Sequence, residues 1–209
     1  MADTTIYAPR DYARLRGLKG ITDEQIEVHL TLYEGYVKRS NALLQSVTEL
    51  RAKNRFASPE FAEQNRRLGW ELNGMRLHEL YFDGLKPGGS GALDEQNPLG
   101  AAAARQFGGV KAFEADLMGV AKMPGVGWAI TYADPITGRL VNLWIEQHHA
   151  GHPAGWSPVV VLDVWEHAFS VYLKPTQREK YLEDFFANVD WQVAAQRMGE
   201  PRTQSARMR

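Results

Sequence analysis

The stretch "VVVLDVWEHAFSVY", residues 159–172, carries an apolar β-branched run into Asp163 and then into the pair Glu166–His167. A buried strand that ends among ionisable groups has two readings. One is a strand followed by a helix start, where Asp is a common N-cap. The other is a metal held by Asp163 and His167, because a buried charge needs a compensating partner. The segment alone leaves both open, and the rest of the chain decides whether further ligands exist.

Composition narrows the choice of chemistry. The 209 residues suffice for one large domain or two small ones. Lys and Arg total 24 against 25 Asp and Glu, a formal net charge of −1, which argues against a nucleic-acid partner or a polybasic membrane binder. There is no Cys, so disulfides, thiolate metal sites and Cys nucleophiles are excluded together, and any metal must sit on His, Asp, Glu or water. The start, "MADTTIYAPRDYARLRG", has no apolar h-region, and no run of about 18 apolar residues occurs. The expectation is a soluble cytoplasmic protein with no membrane partner. The basic end "PRTQSARMR" reads as a frayed tail.

Outward from the opening stretch, the grammar changes along the chain. Thr22-Asp23-Glu24-Gln25 reads as a capping box, with Gln25 reaching back to the N-cap. Ile26, His29, Leu30, Tyr33, Tyr36 and Val37 then keep one face at helical spacing, extended by Leu43, Leu44, Val47 and Leu50. Ser58-Pro59-Glu60 writes a second helix start, continued through Leu68, Leu72, Met75 and Leu80. Two long helices with a short connection predict an antiparallel hairpin. "LKPGGSGALDEQNP", residues 85–98, is the main break, with three Gly and two Pro. The expected division is a helical hairpin domain, residues 1–88, and an α/β domain, residues 89–209.

Beyond the break, residues 107–123 read as one helix despite the paired Gly108 and Gly109. Two β-rich runs around Asp134-Pro135-Ile136-Thr137-Gly138 read as a hairpin, and residues 159–164 as a third strand. Helix returns in "PTQREKYLEDFFANV" and in "DWQVAAQRM", with Asp190 as N-cap. The fold class is α+β: a long antiparallel helical hairpin followed by a domain with a three-stranded antiparallel sheet.

Six His occur. His29 and His78 lie on the apolar faces of the two long helices, where a lone imidazole is ordinarily a hydrogen-bonded core residue. Two of them in one seam leave four ring nitrogens to satisfy, and a metal takes one from each. With Asp163 and His167 they make three imidazoles and one carboxylate, a donor set suited to Fe, Mn, Co or Zn. In "HHAGH", residues 148–152, adjacent His cannot both point inward from a strand. His149 and His152 read as incidental loop residues. His148 closes a strand that leads toward the same centre.

As a set, these blocks resemble the iron/manganese superoxide dismutase family. "DVWEHAF" (163–169) is similar to that family's D-x-W-E-H-A-Y signature. "ITDEQIEVHL…YEGYV" resembles its first helix, "MRLHELYF" its second-helix ligand segment, "GVGWA" its G-S-G-W turn, and "REKYLEDFFANVDWQVAAQRM" its closing stretch. The blocks fall in the family's order across roughly residues 10–198.

The resemblance implies the ligands His29, His78, Asp163 and His167 around one Mn or Fe ion per chain, with superoxide as the small anionic substrate. It implies Tyr36 as the gateway tyrosine, Trp128 and Trp165 as aromatic wall, and Arg178 as a residue lining the substrate funnel. Glu166 matches the family's bridge to a ligand His of a second subunit, so a homodimer is expected, with a tetramer as the alternative assembly. A metal that cycles between two oxidation states is needed, which excludes Zn and leaves Mn against Fe open. The competing function is a structural protein that reuses the scaffold without catalysis.

Several positions depart from the family pattern. From His29 to Tyr36 is seven residues where many members have eight, consistent with loss of a helical bulge. Gly74 stands where many iron members carry a Gln. His148 stands at the later-strand position from which manganese members supply that Gln, and it is expected to face the bound solvent. Tyr33 occupies the place of a second-sphere His, and Phe169-Ser170 replaces Tyr-Tyr.

Overall fold

The computed structural model describes residues 6–199. The basic segment 201–209 lies outside the described residues. Helix α1 (Asp23–Ala52) starts where Thr22 Oγ1 accepts from Gln25 N–H. Gln25 does not reach back, as the capping box predicted. Its side chain crosses to the other half of the molecule, where Nε2 donates to His167 O (2.7 Å) and Oε1 accepts from Val171 N–H (3.0 Å). A capping residue has thus become a clamp on the segment that follows Asp163. Helix α2 (Pro59–Asp83) begins at Ser58, whose Oγ accepts from Phe61 N–H, with Pro59 in the first turn where its missing N–H costs nothing.

The two helices pack side by side. Ile26, His29, Tyr33, Tyr36 and Val37 face Gly74, Met75, His78 and Phe82, all of them buried. The helical assignment of α1 is unbroken from His29 to Tyr36, so the seven-residue spacing needs no bulge and keeps both on the inner face.

The helix expected over 107–123 begins only after the paired glycines, and a helix that the sequence reading did not anticipate precedes it. Asn97 caps α3 (Pro98–Phe107), Gly108 at φ 81° ends it in the left-handed region, and α4 (Val110–Ala121) follows. Only Gly tolerates that backbone freely, so the paired glycines end α3 and set the start of α4. Strands β1 (Trp128–Ala133), β2 (Leu140–Ile145) and β3 (Ser157–Asp163) form an antiparallel sheet of order β2-β1-β3. A shift between Thr131 and Tyr132 leaves Val159 as the extra residue on β3, beside Pro158, which has no N–H to give to the ladder. Helices α5 (Arg178–Phe186) and α6 (Trp191–Met198) close the chain, the latter capped by Asp190 as expected.

The register places the chemistry. Trp128 at the start of β1 pairs with Asp163 at the end of β3 and with Ile145 at the end of β2. Asp163, Trp128 and the segment leading to His148 therefore meet at one end of the sheet, and α2 packs against β3 there. Among the described residues no helix is long and apolar enough to cross a membrane.

Candidate metal centre

Four side chains from four places in the sequence converge between the helical hairpin and the sheet. One donor atom each of His29, His78, Asp163 and His167 lies within 4.8 Å of the others. Asp163 Oδ2 is the hub, 3.2 Å from His29 Nε2, 3.1 Å from His167 Nε2 and 3.6 Å from His78 Nε2. Its other oxygen accepts from Trp165 N–H (2.8 Å), so Asp163 both holds the following backbone and faces the imidazoles. Asp163 is thus not the N-cap of the first reading, since the short 3-10 turn Glu166–Ala168 starts at Trp165 with no side-chain cap, but it braces the turn that leads there.

His78 decides what this cluster can hold. Its Nδ1–H donates to Gly74 O (2.6 Å), which fixes the ring proton on Nδ1. Nε2 is then a bare lone pair, 3.6 Å from a carboxylate oxygen and 3.4 Å from His167 Nε2. A buried lone pair aimed at an anion with no donor beside it is repelled, and a cation between them removes the repulsion. The donor set of three imidazoles and one carboxylate suits Fe or Mn. The ionisation states agree. Burial lowers the His29 and His78 pKa values, so both rings stay neutral. Burial by itself would raise Asp163, but the facing His167 and His29 rings hold its carboxyl well below the usual range. His167 is the one ligand side chain with appreciable exposure, at 26 %.

Around the cluster stands a ring of aromatics. Trp128 packs edge-on to His78, and Trp165 stacks on His167 with centroids 6.0 Å apart. Tyr36 lies 5.1 Å from the His78 ring. Burial pushes the Tyr36 hydroxyl up to about 12, so it is protonated near neutrality. A Cβ on Gly74 would come 2.6 Å from Tyr36 Cδ1, so the bare glycine is what admits the tyrosine ring against α2.

His148 is buried, whereas His149 is exposed against Trp70. The hydrogen bonds of the His148 ring fix its tautomer. The indole of Trp128 can only donate, so its Nε1–H gives to His148 Nδ1 (3.0 Å), and the ring proton must sit on Nε2. Nε2–H then donates to Tyr36 Oη (2.8 Å), leaving the tyrosine's own proton free to point elsewhere. Burial lowers the His148 pKa to about 4.

Other residues take unexpected places. Arg178 donates to the carbonyls of Gly125 and Ala121, both at 2.7 Å, and so clips the end of α4 to the turn before Trp128. Tyr33 is sealed in the hairpin, donating to Glu79 Oε1 (3.0 Å) and accepting from Arg10 N–H (3.1 Å). Glu166 is exposed beside His167. Sequence reasoning missed a charged group on the rim. Buried Glu71 accepts from Arg39 and Arg67, both at 2.8 Å, while Arg39 lies over the Tyr36 ring and Arg67 over that of Trp70. The spacing of Arg67 and Glu71 at i,i+4 was a visible pairing signal.

The iron superoxide dismutase of Aquifex pyrophilus is 34% identical over 194 residues, which cover 90% of this chain and 89% of the relative. The chain belongs to the iron/manganese superoxide dismutases. The family model described as "Iron/manganese superoxide dismutases, C-terminal domain" matches residues 95–197. The iron superoxide dismutase of Cupriavidus metallidurans is 37% identical over 185 residues, covering 86% of this chain and 89% of its own. An enzyme of Aeropyrum pernix named for both Mn and Fe is 30% identical over 185 residues, 85% of this chain and 83% of its own. The members are oxidoreductases, and Fe and Mn are the metals that their names carry.

Proposed function

We propose that this chain disproportionates superoxide to O2 and H2O2 with one Fe or Mn ion held by His29, His78, Asp163 and His167. The observation that carries the reading is the lone pair of His78, fixed toward a buried carboxylate that two further imidazoles already face. Fe or Mn held by these four residues would supply one-electron redox exchange with superoxide.

The chain's own residues do the rest. Asp163 gives the donor set its single negative charge, and Gln25 holds the His167 backbone against α1. Tyr36 keeps its proton because its hydroxyl titrates near 12, and the Nε2–H of His148 occupies its oxygen as acceptor. The Tyr36 O–H is therefore directed away from His148 and is available to the departing peroxide. The Trp128 and Trp165 rings exclude water from the buried donors. Arg39 and Arg67, two cations sharing one buried carboxylate, leave a net positive charge beside Tyr36 that draws in a small anion. In this reading that role does not fall to Arg178, whose Nη groups are taken by backbone carbonyls.

The same proposal includes the division of the chain at the glycine-rich loop into units 1–88 and 89–209, with ligands drawn from both. It also includes a homodimer using the face around Glu166, and a cytoplasmic setting. Val171, whose N–H donates to Gln25 on α1, is exposed and supplies apolar surface near Glu166.

The test is elemental analysis of protein purified without chelator, with superoxide consumption measured on separately Mn- and Fe-loaded samples. The expected result is about one ion per chain and activity in at least one form. Bound metal without activity in either form, or no metal after reconstitution, overturns the reading and leaves a scaffold with another role. Light scattering gives the mass in solution.

A further inference from the structure

The motif "HHAGH", residues 148–152, contains two histidines that the proposed chemistry does not use, exposed His149 and His152. His152 is not a free loop residue. After β2 the chain bridges Gln147 to Ala150, and Gly151 turns at φ 92°, a backbone that residues with a Cβ rarely adopt. That reversal brings His152 back onto the main chain of His148. The distance from His152 Nε2 to His148 O is 2.7 Å, and from Nδ1 to Tyr132 Oη 2.5 Å.

The proton positions follow from the partners. A carbonyl only accepts, so His152 carries its proton on Nε2 and donates to His148 O. Its Nδ1 must then accept, and Tyr132 O–H donates into it. Trp128 and Tyr132 are four residues apart on β1, and the extra residue of the bulge lies on β3, so both project from the same face. One strand face therefore grips His148 twice. Trp128 holds the ring through Nδ1, and Tyr132 holds the backbone through His152.

We propose that His152, with Tyr132, is a positioning residue that sets how far the His148 ring reaches toward Tyr36. Its importance for turnover rests on the reading given above, in which Tyr36 and His148 act at the metal centre. A loop anchored only through the His148 ring would pivot about Trp128 Nε1, and the 2.8 Å bond from Nε2 to Tyr36 Oη would lengthen. Fixing the carbonyl as well removes that freedom. Supporting side chains of this kind typically change activity about 10–100-fold when removed.

The test separates positioning from activity. In metal-free, 15N-labelled protein the His148 Hε2 proton is a direct reporter, because Trp128 fixes it on Nε2 and it resists exchange only while it is held against Tyr36. His152→Ala and Tyr132→Phe are expected to speed its exchange about tenfold or broaden it away, with the Trp128 indole proton less affected. After metal loading, the same variants should keep wild-type metal content and KM while kcat falls about tenfold. His152→Gln, whose amide N–H can still reach the carbonyl, should recover much of both readouts. Tyr132→Phe removes one oxygen and keeps the ring, so it carries the test if His152→Ala does not fold. Unchanged His148 exchange in both variants overturns the inference. So does a loss of kcat that His152→Gln does not recover. If the wild type has no activity but the exchange effect is present, the positioning inference stands and the superoxide reading falls.

Discussion

His29 and His78 hang from two regular helices and are fixed by packing, whereas His148 hangs from a short loop and is fixed by directional hydrogen bonds. On the helical wall the inner faces of α1 and α2 bury each imidazole completely, and direction is added only at single ring atoms, by the bond from His78 to Gly74 O and the contact of His29 Nε2 with Asp163. On the loop wall every polar atom of the His148 ring has a named partner, and its carbonyl has another. Packing is short-ranged, tolerant of charge and intolerant of volume. Hydrogen bonding has the opposite weaknesses. The two walls should therefore fail under different substitutions, and Asp163, which both walls face, should matter most.

Asp163→Asn gives the largest expected effect. It keeps the shape and removes the only negative charge of the donor set. Metal affinity should fall by more than about 100-fold, the upper range for losing a mere supporting partner of a ligand. Metal retained after dialysis against a weak chelator, measured by elemental analysis, checks it. Retention at the wild-type level would mean that the cluster is not the metal site.

What could be read in the sequence follows the same division. The helical wall was legible because the helical period places His29 with Tyr33 and Tyr36, and His78 with Met75 and Phe82, on apolar faces. Two imidazoles on facing stripes announce a shared seam. Asp163 and His167 were legible as a carboxylate and an imidazole one turn apart after a buried strand. The loop wall was not. The value of His152 depends on a chain reversal at Gly151, and the position of Gly151 before His152 was its only advance sign. Gln25 misleads for a related reason: a capping residue has a local partner within reach, and nothing in the local sequence reveals a competing partner more than a hundred positions away. Helix α3 was hidden by treating Asn97-Pro98 as the end of a loop, although Asn before Pro is also a cap followed by a first helical turn.

Volume should break the helical wall. Gly74→Ala would place a methyl 2.6 Å from Tyr36 Cδ1, so the ring must move away from His78. Ala for Gly inside a helix otherwise stabilises by about 0.5–1 kcal/mol. Gly119 in α4, where an added methyl would meet nothing within 4 Å, is the internal control. Gly119→Ala should raise stability by that amount and leave kcat unchanged. Gly74→Ala should lose about 1–3 kcal/mol from overpacking and lower kcat about tenfold as Tyr36 leaves His148. Urea unfolding and steady-state kinetics on both variants give the comparison. Equal behaviour would show that Tyr36 relaxes freely and that the helical wall is looser than its packing implies.

Charge at the rim should matter less. Arg39→Gln leaves Arg67 paired with Glu71 and removes one positive charge from above the Tyr36 ring. At low ionic strength kcat/KM should fall roughly threefold, and the gap should close as salt passes about 0.1 M, where the screening length is near 10 Å. A loss that does not vary with salt would mean that Arg39 acts by holding Tyr36 and not by drawing in the anion.

Protons provide the smallest and most selective probe of the loop wall. The buried His148 ring titrates near 4, whereas an unfolded chain protonates the same ring near 6.5. Between those values the unfolded state binds a proton that the folded state refuses, so His148 lowers stability as pH falls from about 6.5 toward 4 and has no effect above that window. His148→Gln can accept from Trp128 through its carbonyl and donate to Tyr36 through its amide, without titrating. In metal-free protein at pH 5 the wild type should therefore lose on the order of 1–2 kcal/mol relative to His148→Gln, a few degrees in Tm, while the gap between the two stays constant above pH 7. His29 and His78 are also held neutral by burial and contribute acid sensitivity in the same direction, but they are common to both proteins and cancel in the difference. Parallel curves for the two proteins would mean that the His148 ring is solvated in solution, with the grip of β1 on the loop released and packing alone left to build the site.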